Sequence, residues 1–303
     1  MDEIHRLSII IVSYNTCELL RQCLASVRKH SPASEVIVVD NASRDDSVAM
    51  VRREFPEVEI VALNDNKGFA AANNIGKEFA SGDLLLLLNS DTYLEDDTLD
   101  RCATWMRAHP KVGAVSPRLI GFDNEPQLCA HPFPSFHSRL RQTFRYKAEV
   151  VEEQVEAGLG WLIGAALMVR RAALPLTQDL LDAGYFMYWE DTDLSSRLHE
   201  AGWSLAVYRD GHVRHRGGGS SNGPDGSQRP ELYAYFLRGK FRWFTSHRPR
   251  WETSGIWILD LLDVGRKYLR GFVYCRNRER KQASQLARGL WRHFWKRSFQ
   301  KLS

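Results

Sequence analysis

The sequence predicts an α/β fold, in which a mostly parallel central sheet is flanked by helices. Strand-like and helix-like segments alternate four times between residues 7 and 91, and the strand-like segments are continuous apolar runs. Such runs are typical of strands buried on both faces of a parallel sheet, and the alternation is typical of folds built on one. A third observation, the basic and aromatic character of residues 231–303, predicts a helical extension after the sheet.

Local patterns define the individual elements of the first half of the chain. The predicted strands are residues 8–13, 36–39, 58–63 and 84–88, and the predicted helices are residues 17–29, a helix running to about residue 55, and residues 68–80. Ser43 and Asp45 are expected to cap the second helix, because short polar side chains accept hydrogen bonds from the first N–H groups of a helix. Ligands of such a sheet bind beyond the carboxyl ends of its strands.

The alternation loosens after Pro117. Residues 121–157 are predicted to form a long excursion over the sheet, because apolar periodicity is lost there. Residues 159–169 are again apolar and are predicted to form a regular element. Residues 185–203 begin with an aromatic segment and continue with a predicted helix. Residues 214–226 are rich in glycine and serine and are predicted to form a mobile loop.

Composition limits the class of protein. Hydrophobic residues make up 44% of the chain and charged residues 26%, which is typical of a globular protein with a sizeable core. The five cysteines include no CxxC pair, so we expect neither a disulfide framework nor a zinc site. This cysteine usage favours a reducing compartment. The charged start of the chain predicts no signal peptide, and no apolar stretch approaches the roughly 18 residues of a membrane span.

Charge is distributed unevenly along the chain. Residues 231–303 carry 17 Lys and Arg against 5 Asp and Glu, whereas residues 1–230 have a net negative charge. A basic extension of this kind favours an anionic partner such as lipid head groups, nucleic acid or an acidic substrate. Leu286, Leu290 and Phe294 recur at helical spacing beside basic residues, which favours a helix at an anionic membrane surface. The alternative is a helix packed on the protein, with solvated cations.

Polar residues follow three of the predicted strands. Ser13, Tyr14 and Asn15 follow the first strand, Asp40 ends the second, and Asp91 follows the fourth. Each can also be explained as a cap or turn residue. A carboxylate directly after a buried strand nevertheless suits a hard divalent cation, which in turn neutralises a diphosphate.

Two further clusters carry candidate chemistry. Glu190 and Asp191 lie in an aromatic segment, and partial desolvation should raise their pKa values toward those of a general base. They can also be explained as an acidic helix start, and Asp191 with Asp193 imitates a metal-binding DxD motif. His215 lies beside a triglycine segment and is a candidate metal ligand, although a single histidine is more often a surface residue.

These segments together resemble a known family. In chain order, SIIIVSYNT, VIVVDNASRDDS, NDNKGFAAANNIG, LLLLNSDT, GWLIGAALMVRR, FMYWEDTDLSSRLHEAGW and RHRGGGS resemble glycosyltransferase family 2. The resemblance covers about residues 7–250 and is strongest to the rhamnosyltransferase-like branch, which builds bacterial surface polysaccharides. It implies a GT-A fold, a nucleotide-sugar donor, a divalent metal (Mn²⁺ or Mg²⁺) and inversion at the anomeric carbon. It also implies a catalytic domain of residues 1–230, with a nucleotide-binding half of about 1–117 and an acceptor half of about 118–230.

The resemblance also implies roles for single residues. Asp191, with its neighbour Glu190, corresponds to the catalytic base, and Asp91 and His215 correspond to the metal ligands. The donor-binding residues implied are Ser13, Tyr14, Asn15, Asp40, Asn41, Asn66, Gly68, Asn89, Ser90 and Asp91. The sequence departs from the family pattern at Asn89, where the DxD motif begins with Asp, so the contact of Asn89 with ribose or metal stays open.

The expected function is metal-dependent, inverting transfer of a sugar, with rhamnose as a candidate, onto a hydroxyl of a growing bacterial polysaccharide. The acceptor is a glycan or lipid-linked glycan, and the location expected is the cytoplasm, at the cytoplasmic face of the inner membrane. Asp40 can accept the N3–H of uracil or thymine, which favours a UDP or dTDP donor, although guanine N1–H leaves GDP open.

Two alternatives are less consistent with the sequence. A sugar nucleotidyltransferase needs a glycine-rich loop after the first strand, where this chain has Ser13 to Thr16, and no P-loop or strand-linked dinucleotide motif occurs. A non-catalytic protein that binds membrane or nucleic acid through its basic extension leaves Asp91, Asp191 and His215 unexplained. We therefore expect no nucleic-acid partner.

Overall fold

A computed structural model describes residues 6–143, 160–175, 179–217 and 230–273. The chain divides into two compact units. The first unit comprises Met1–Phe133, Val150–Phe186 and Glu190–Ser220, and the second comprises Pro134–Glu149, Met187–Trp189 and Ser221–Ser303.

The first unit holds the strands and most of the helices. Its strands are β1 (Leu7–Ser13), β2 (Glu35–Asp40), β3 (Glu59–Ala62), β4 (Leu84–Asn89), β5 (Thr92–Tyr93), β6 (Val112–Ile120), β7 (Pro126–Gln127), β8 (Ala130–Pro132), β9 (Gly160–Leu162), β10 (Ala166–Arg170) and β11 (Ser204–His215). Its helices are α1 (Cys17–His30), α2 (Ser47–Glu54), α3 (Phe69–Phe79), α4 (Thr98–Ala108) and α6 (Glu190–Glu200). The second unit contains α5 (Phe136–Thr143), α7 (Pro230–His247) and α8 (Arg250–Val273).

The central sheet has the strand order β3-β2-β1-β4-β10-β6-β11-β5, with β7 paired to β6. Strands β3, β2, β1 and β4 are parallel to one another, whereas β10 is antiparallel to both β4 and β6. The register places Ser13 opposite Asp40 and Val12 opposite Asn89, so the carboxyl ends of β1, β2 and β4 lie at one edge. The predicted α/β fold is confirmed: β3, β2, β1 and β4 form a continuous parallel part, and β11 is also parallel to β6.

The apolar runs form the core, as their composition requires. All five leucines of the run Leu84–Leu88 are at most 1% exposed, because β4 is covered on both faces. On α1, Leu20, Leu24 and Val27 are buried against the sheet, as the helical spacing predicts. Burial of each such side chain contributes roughly 1.5–3 kcal/mol relative to exposure.

Several sequence expectations need correction. Helix α2 begins at Ser47, whose N–H donates to Asp45 Oδ1, whereas Ser43 Oγ accepts from the Asn15 N–H and caps nothing. The expected excursion after residue 121 contains short elements (β7, β8 and α5), and strands of two and three residues are too short to show a periodicity. The apolar element at 159–169 is two strands around a turn at Gly164. Arg214 and His215 lie in strand β11, not in a loop, because they pair with β5.

The second unit is held by aromatic packing and a buried ion network. Trp243 is 1% exposed and lies 5.9 Å, between ring centroids, from Trp189. The Lys240 ammonium lies 2.7 Å from Asp260, which the Arg139 guanidinium also contacts at 3.0 Å. A Cβ on Gly239 would lie 2.6 Å from the Tyr188 carbonyl oxygen, so this close helix approach requires glycine.

The helical extension predicted from residue 231 onward is confirmed over residues 230–273. The predicted stripe beginning at Leu286 lies outside the described residues. Among the α8 side chains whose exposure is described, these large apolar ones are more than half exposed: Trp251, Ile258, Leu261 and Leu262. Within the described part of the chain, no helix combines the length and apolar character needed to cross a membrane.

Candidate active site

The first part of the site is the edge where β1 and β2 end. The Asn41 N–H donates to the Ser13 carbonyl oxygen over 2.8 Å, which continues the strand pairing past Asp40. The Asp40 carboxylate is buried, and its Oδ2 accepts the Ser43 N–H at 2.9 Å. Its Oδ1 is buried without a hydrogen-bond partner. Because an unpaired buried oxygen is costly, Asp40 presents an acceptor that suits the N–H of a ligand.

The loops that follow β1 and β2 are joined to each other. The Asn15 N–H donates to Ser43 Oγ over 2.9 Å, and the Arg44 N–H donates to Asn15 Oδ1 over 2.7 Å. Asn15 adopts a φ of 54°, a left-handed conformation that asparagine tolerates better than most residues. Tyr14 lies half-buried beside it. Asn15 therefore shapes this edge through its backbone and its amide.

The loop before α3 is fixed by two asparagine side chains. Asn66 Oδ1 accepts the Gly68 N–H at 2.9 Å, and Asn41 Oδ1 accepts the Lys67 N–H at 2.8 Å. Gly68 has a φ of 88°, and a Cβ there would lie 2.5 Å from the Phe186 carbonyl oxygen. The structure thus brings Asn41, Asn66 and Gly68 together, with the asparagine oxygens already used within the loop.

The candidate metal ligands come together through the pairing of β5 with β11. His215 lies opposite Thr92, the residue after Asp91, and the Arg216 N–H donates to the Asp91 carbonyl oxygen at 3.0 Å. His215 Nε2 is consequently 3.5 Å from Asp91 Oδ1 and 3.4 Å from Asn89 Nδ2. Asp91 is 9% exposed.

Ser90 has a structural contact beside these residues. Its hydroxyl lies 3.0 Å from Thr16 Oγ1, which is itself 3.0 Å from Ser13 Oγ. This chain of buried hydroxyls links the end of β4 to the end of β1. Ser90 and Ser13 therefore hold the carboxyl ends of β4 and β1 in register.

Asp91 and His215 fit a divalent cation. A carboxylate oxygen and an imidazole nitrogen with an available lone pair are both ligands that Mn²⁺ accepts. Among the described residues, no group of three or more His, Cys, Asp or Glu side chains is arranged to hold a metal. A two-ligand set suits an ion that also binds the phosphates of a substrate.

Asp191 is a half-buried carboxylate at the start of α6, held by backbone N–H groups. Its Oδ2 accepts the Gly164 N–H at 3.0 Å, and its Oδ1 accepts the Thr192 N–H at 2.7 Å. Burial raises the pKa of Asp191 to about 6, although these hydrogen bonds favour the charged form. Burial and the charge of Asp191 raise the pKa of Glu190 well above its usual range, and Glu190 Oε2 is buried without a partner. Of this pair, Glu190 is therefore the more readily protonated and Asp191 the more readily ionised.

Asp193 is occupied structurally. Its Oδ2 lies 2.8 Å from Arg197 Nε in an ion pair one helical turn along α6. A carboxylate neutralised by arginine is a poor proton acceptor, so Asp193 is disfavoured as the base. The same ion pair occupies Asp193 Oδ2, which disfavours Asp191 and Asp193 as a metal-binding DxD motif. Asp191 is the carboxylate of this helix start that best fits general-base chemistry.

Two residues of the site were missed by sequence reasoning. Gly164 supplies an N–H to Asp191, and it was visible within the segment GWLIGAALMVRR. Gln127 makes two hydrogen bonds to His215, and no motif contains it. Its segment has no strand pattern of its own, because β7 is only two residues long.

A family model for glycosyl transferase family 2 matches residues 8–165, slightly more than half of the chain. The chain belongs to this family. It is a family 2 glycosyltransferase, as the ordered motifs predicted.

Curated relatives agree with the family and with its rhamnosyltransferase-like branch. An N-acetylglucosaminyl-diphospho-decaprenol L-rhamnosyltransferase of Mycobacterium tuberculosis is 29% identical over 227 residues, which cover 67% of this chain and 73% of the relative. A poly-beta-1,6-N-acetyl-D-glucosamine synthase of Staphylococcus epidermidis is 28% identical over 215 residues, covering 68% of this chain and 47% of the relative.

Two solved structures have a fold similar to that of this chain. A mannosyltransferase from Pyrobaculum calidifontis, in complex with GDP-Man and Mn²⁺, superimposes with a TM-score of 0.57 at 15% identity, covering 96% of this chain and 87% of that one. TarS of Staphylococcus aureus, in complex with UDP, gives a TM-score of 0.53 at 16% identity, covering 79% of this chain and 72% of that one. These likenesses confirm the GT-A type of the fold.

Proposed function

We propose that this glycosyltransferase transfers a sugar, with rhamnose as the first candidate, from a dTDP- or UDP-sugar to a hydroxyl of a lipid-linked glycan. Transfer inverts the anomeric centre, and the product belongs to a growing bacterial polysaccharide. The observation that carries the reaction type is the pair of Asp191 and Glu190, in which the ionised Asp191 is held by two N–H groups. The name of the mycobacterial relative supports rhamnose and a polyprenyl-diphosphate acceptor.

Asp40 selects the nucleotide base in this proposal. Its unpaired Oδ1 accepts the N3–H of uracil or thymine, a proton that cytosine lacks. Guanine also offers an N–H, and one solved neighbour holds GDP-Man, so a GDP-sugar belongs in the test. The loop fixed by Asn41 and Asn66 keeps this edge in place before the donor arrives.

Asp91 and His215 would hold Mn²⁺ or Mg²⁺ in this proposal. When bound, such an ion offsets the negative charge that develops on the leaving diphosphate. The chain itself supplies the orientation of both ligands through the β5–β11 pairing, which brings Asp91 Oδ1 and His215 Nε2 within 3.5 Å.

Asp191 acts as the base toward the acceptor. Its carboxylate takes the proton of the acceptor hydroxyl as that oxygen forms a bond to the anomeric carbon, while the bond from that carbon to the diphosphate breaks. Attack from the face opposite the diphosphate inverts the centre in one displacement, so no covalent glycosyl-enzyme forms. Glu190 keeps its proton throughout, which keeps a second negative charge away from Asp191.

The decisive experiment is transfer from a panel of dTDP-, UDP- and GDP-sugars to a synthetic polyprenyl-diphospho-N-acetylglucosamine acceptor. We expect a nucleoside diphosphate as the released product and, by NMR, an anomeric configuration opposite to that of the donor. Release of pyrophosphate from a nucleoside triphosphate and sugar phosphate would instead identify a nucleotidyltransferase. Retention of configuration would contradict the single displacement.

We also propose that the enzyme associates with an anionic membrane surface through its basic extension. The net charge of residues 231–303 and the exposed apolar side chains of α8 support this location. The full chain should co-sediment with anionic vesicles, and less so at high salt, whereas a chain ending at Arg280 should bind more weakly. Equal binding by both chains would exclude residues 281–303 as the anchor.

A further inference from the structure

The Nδ1 side of the His215 ring is held by the side chain of Gln127. His215 Nδ1 lies 2.9 Å from Gln127 Oε1, and Gln127 Nε2 donates to the His215 carbonyl oxygen over 2.9 Å. The side-chain amide therefore contacts both the backbone and the ring of the same residue. Only 14% of the His215 side chain is exposed, so little water competes for these bonds.

The donor and acceptor roles in this pair follow from chemistry. A carbonyl oxygen can only accept, so the Gln127 atom that faces the His215 carbonyl must be the NH₂ group. The oxygen of the amide then faces Nδ1, and since it can only accept, Nδ1 must carry a proton. A neutral imidazole has one such proton, so Nε2 is left with its lone pair.

That lone pair lies on the side of Asp91. Nε2 is 3.5 Å from Asp91 Oδ1, and the Asn89 NH₂ group lies 3.4 Å away. In the neutral imidazole, Nε2 accepts a long hydrogen bond from Asn89 and also faces the Asp91 carboxylate, and a cation that replaces the Asn89 contact would be stabilised by both electron-pair donors. Metal-bound histidines commonly donate their other ring N–H to an oxygen acceptor, which fixes the tautomer and orientation.

We propose that Gln127 is a positioning residue that fixes the ring and the Nδ1–H tautomer of His215, so that Nε2 is ready to bind metal beside Asp91. This inference rests on the proposed metal role of His215. Gln127 itself touches neither substrate nor metal in this arrangement.

The β6–β7 hairpin, which carries Gln127, is fixed to strand β11 and can therefore hold Gln127 beside His215. Gln127 pairs with Leu119 in the β6–β7 hairpin. Beside His215, the Arg214 guanidinium donates to the Gly121 carbonyl oxygen at 3.0 Å and to Asn124 Oδ1 at 2.9 Å. Arg214 thus clamps the same hairpin to β11 without contacting the ring, and its Nε also lies 2.7 Å from Glu95 Oε1, so its replacement removes more contacts than that of Gln127 and is a stringent control.

Three variants separate ring positioning from simple clamping. Gln127→Met removes both hydrogen bonds, and Gln127→Glu keeps an acceptor for Nδ1–H but loses the donor to the carbonyl. Arg214→Met loosens the hairpin and leaves the ring contact intact. Mn²⁺ affinity in the presence of UDP or dTDP, measured by the EPR signal of free Mn²⁺, should fall roughly 10- to 100-fold in Gln127→Met. It should stay within a few-fold of wild type in Gln127→Glu and Arg214→Met.

The tautomer can be read without any metal. In ¹⁵N-labelled, metal-free protein at a pH where the imidazole is neutral, long-range ¹H–¹⁵N spectra should show His215 protonated at Nδ1. Gln127→Glu should preserve this pattern, and Gln127→Met should change it.

Several outcomes would overturn the assignment. An Nε2–H tautomer in the wild-type protein, or an affinity loss in Gln127→Glu as large as in Gln127→Met, excludes ring positioning even if Gln127→Met folds poorly. An equal loss of Mn²⁺ affinity in Arg214→Met would show that Gln127 only holds the hairpin in place. An Nδ1–H tautomer in a protein that binds no Mn²⁺ contradicts the proposed metal site itself, and the positioning role with it.

Discussion

Two parts of the candidate site are built in different ways. The nucleotide edge (Ser13, Asp40, Asn41, Asn66 and Gly68) comes from consecutive strand–helix units, and its loops bond mainly to each other. The His215 cluster (Asn89, Asp91, Gln127 and His215) joins three segments that lie far apart in the chain. Its geometry depends on the pairing of β5 with β11 and on one hairpin.

The two parts should differ in how they tolerate amino-acid substitutions. A substitution at the nucleotide edge changes one local hydrogen bond, and the neighbouring loops keep their own bonds. A substitution in the His215 cluster alters a contact that has no local substitute. Substitutions that leave the Ser13–Thr16–Ser90 hydroxyl chain intact should therefore have additive effects on binding free energy when one is made in each part.

The largest effect is expected at Asp191, which belongs to neither part. Asp191→Asn removes the proton acceptor and should lower kcat by roughly 10²–10⁴-fold. Donor and metal affinities should stay near wild type, as calorimetric titration would show. Near-normal turnover in this variant would assign the base to another group.

The pH profile provides a second test of Asp191. Its raised pKa means that the ionised base is lost as the pH falls through about 6, so kcat/KM should decline below that pH. An ordinary carboxyl group would keep activity down to about pH 4. A profile that stays flat to pH 5 would contradict the raised pKa.

The next effect is expected in the His215 cluster. Asp91→Ala should abolish metal-dependent nucleotide binding, and His215→Ala should weaken Mn²⁺ binding at least as much as the roughly 10- to 100-fold loss expected when only the support of a ligand is removed. Nucleotide binding measured without metal should not change in either variant. Full activity in the presence of EDTA would refute the metal site.

A smaller effect, but a more specific one, is expected at Asp40. In Asp40→Asn, the amide oxygen must take the place that accepts the Ser43 N–H, so its NH₂ group faces the ligand. Two donors then meet at uracil N3–H, and UDP or dTDP affinity should fall roughly 10- to 100-fold, the loss of one charge-assisted hydrogen bond. Cytosine N3 is an acceptor, so the affinity for CDP should rise relative to that for UDP. Ser43→Ala is the control: it keeps the backbone contact with Asp40 and loses the side-chain acceptor of the Asn15 N–H, so the preference for UDP over CDP should not change.

The smallest effect concerns stability. Gly68→Ala should lower the free energy of unfolding by more than Gly202→Ala, although both glycines have similar positive φ angles of 88° and 85°. A Cβ on Gly202 meets nothing within 4 Å, so it adds only about 1–2 kcal/mol of backbone strain. Gly68 has a ψ of 170°, a conformation essentially restricted to glycine, and the contact with the Phe186 carbonyl oxygen adds to this larger strain. Equal losses in denaturant unfolding would show that the Phe186 contact is not tight.

The same contrast explains how far the sequence alone predicts the molecule. Strands β1 to β4 and the residues at their ends follow from local apolar runs, and the register confirms that Ser13 and Asp40 are neighbours. The insertion of β10 between β4 and β6 has no local signature, because antiparallel pairing depends on residues far away. For the same reason His215 was expected in a loop, and Gln127 was missed entirely.

The position of β10 also has a consequence for synthesis of the chain. Strand β4 is completed at Asn89, but its partner on one side begins only at Ala166. At about 5–20 residues per second, a ribosome leaves that edge of β4 unpaired for several seconds. An unpaired, leucine-rich edge is a template for pairing with another chain. Nascent chains that stall before Ala166 are therefore expected to aggregate or to occupy chaperones, whereas chains released after Arg170 can cover this edge.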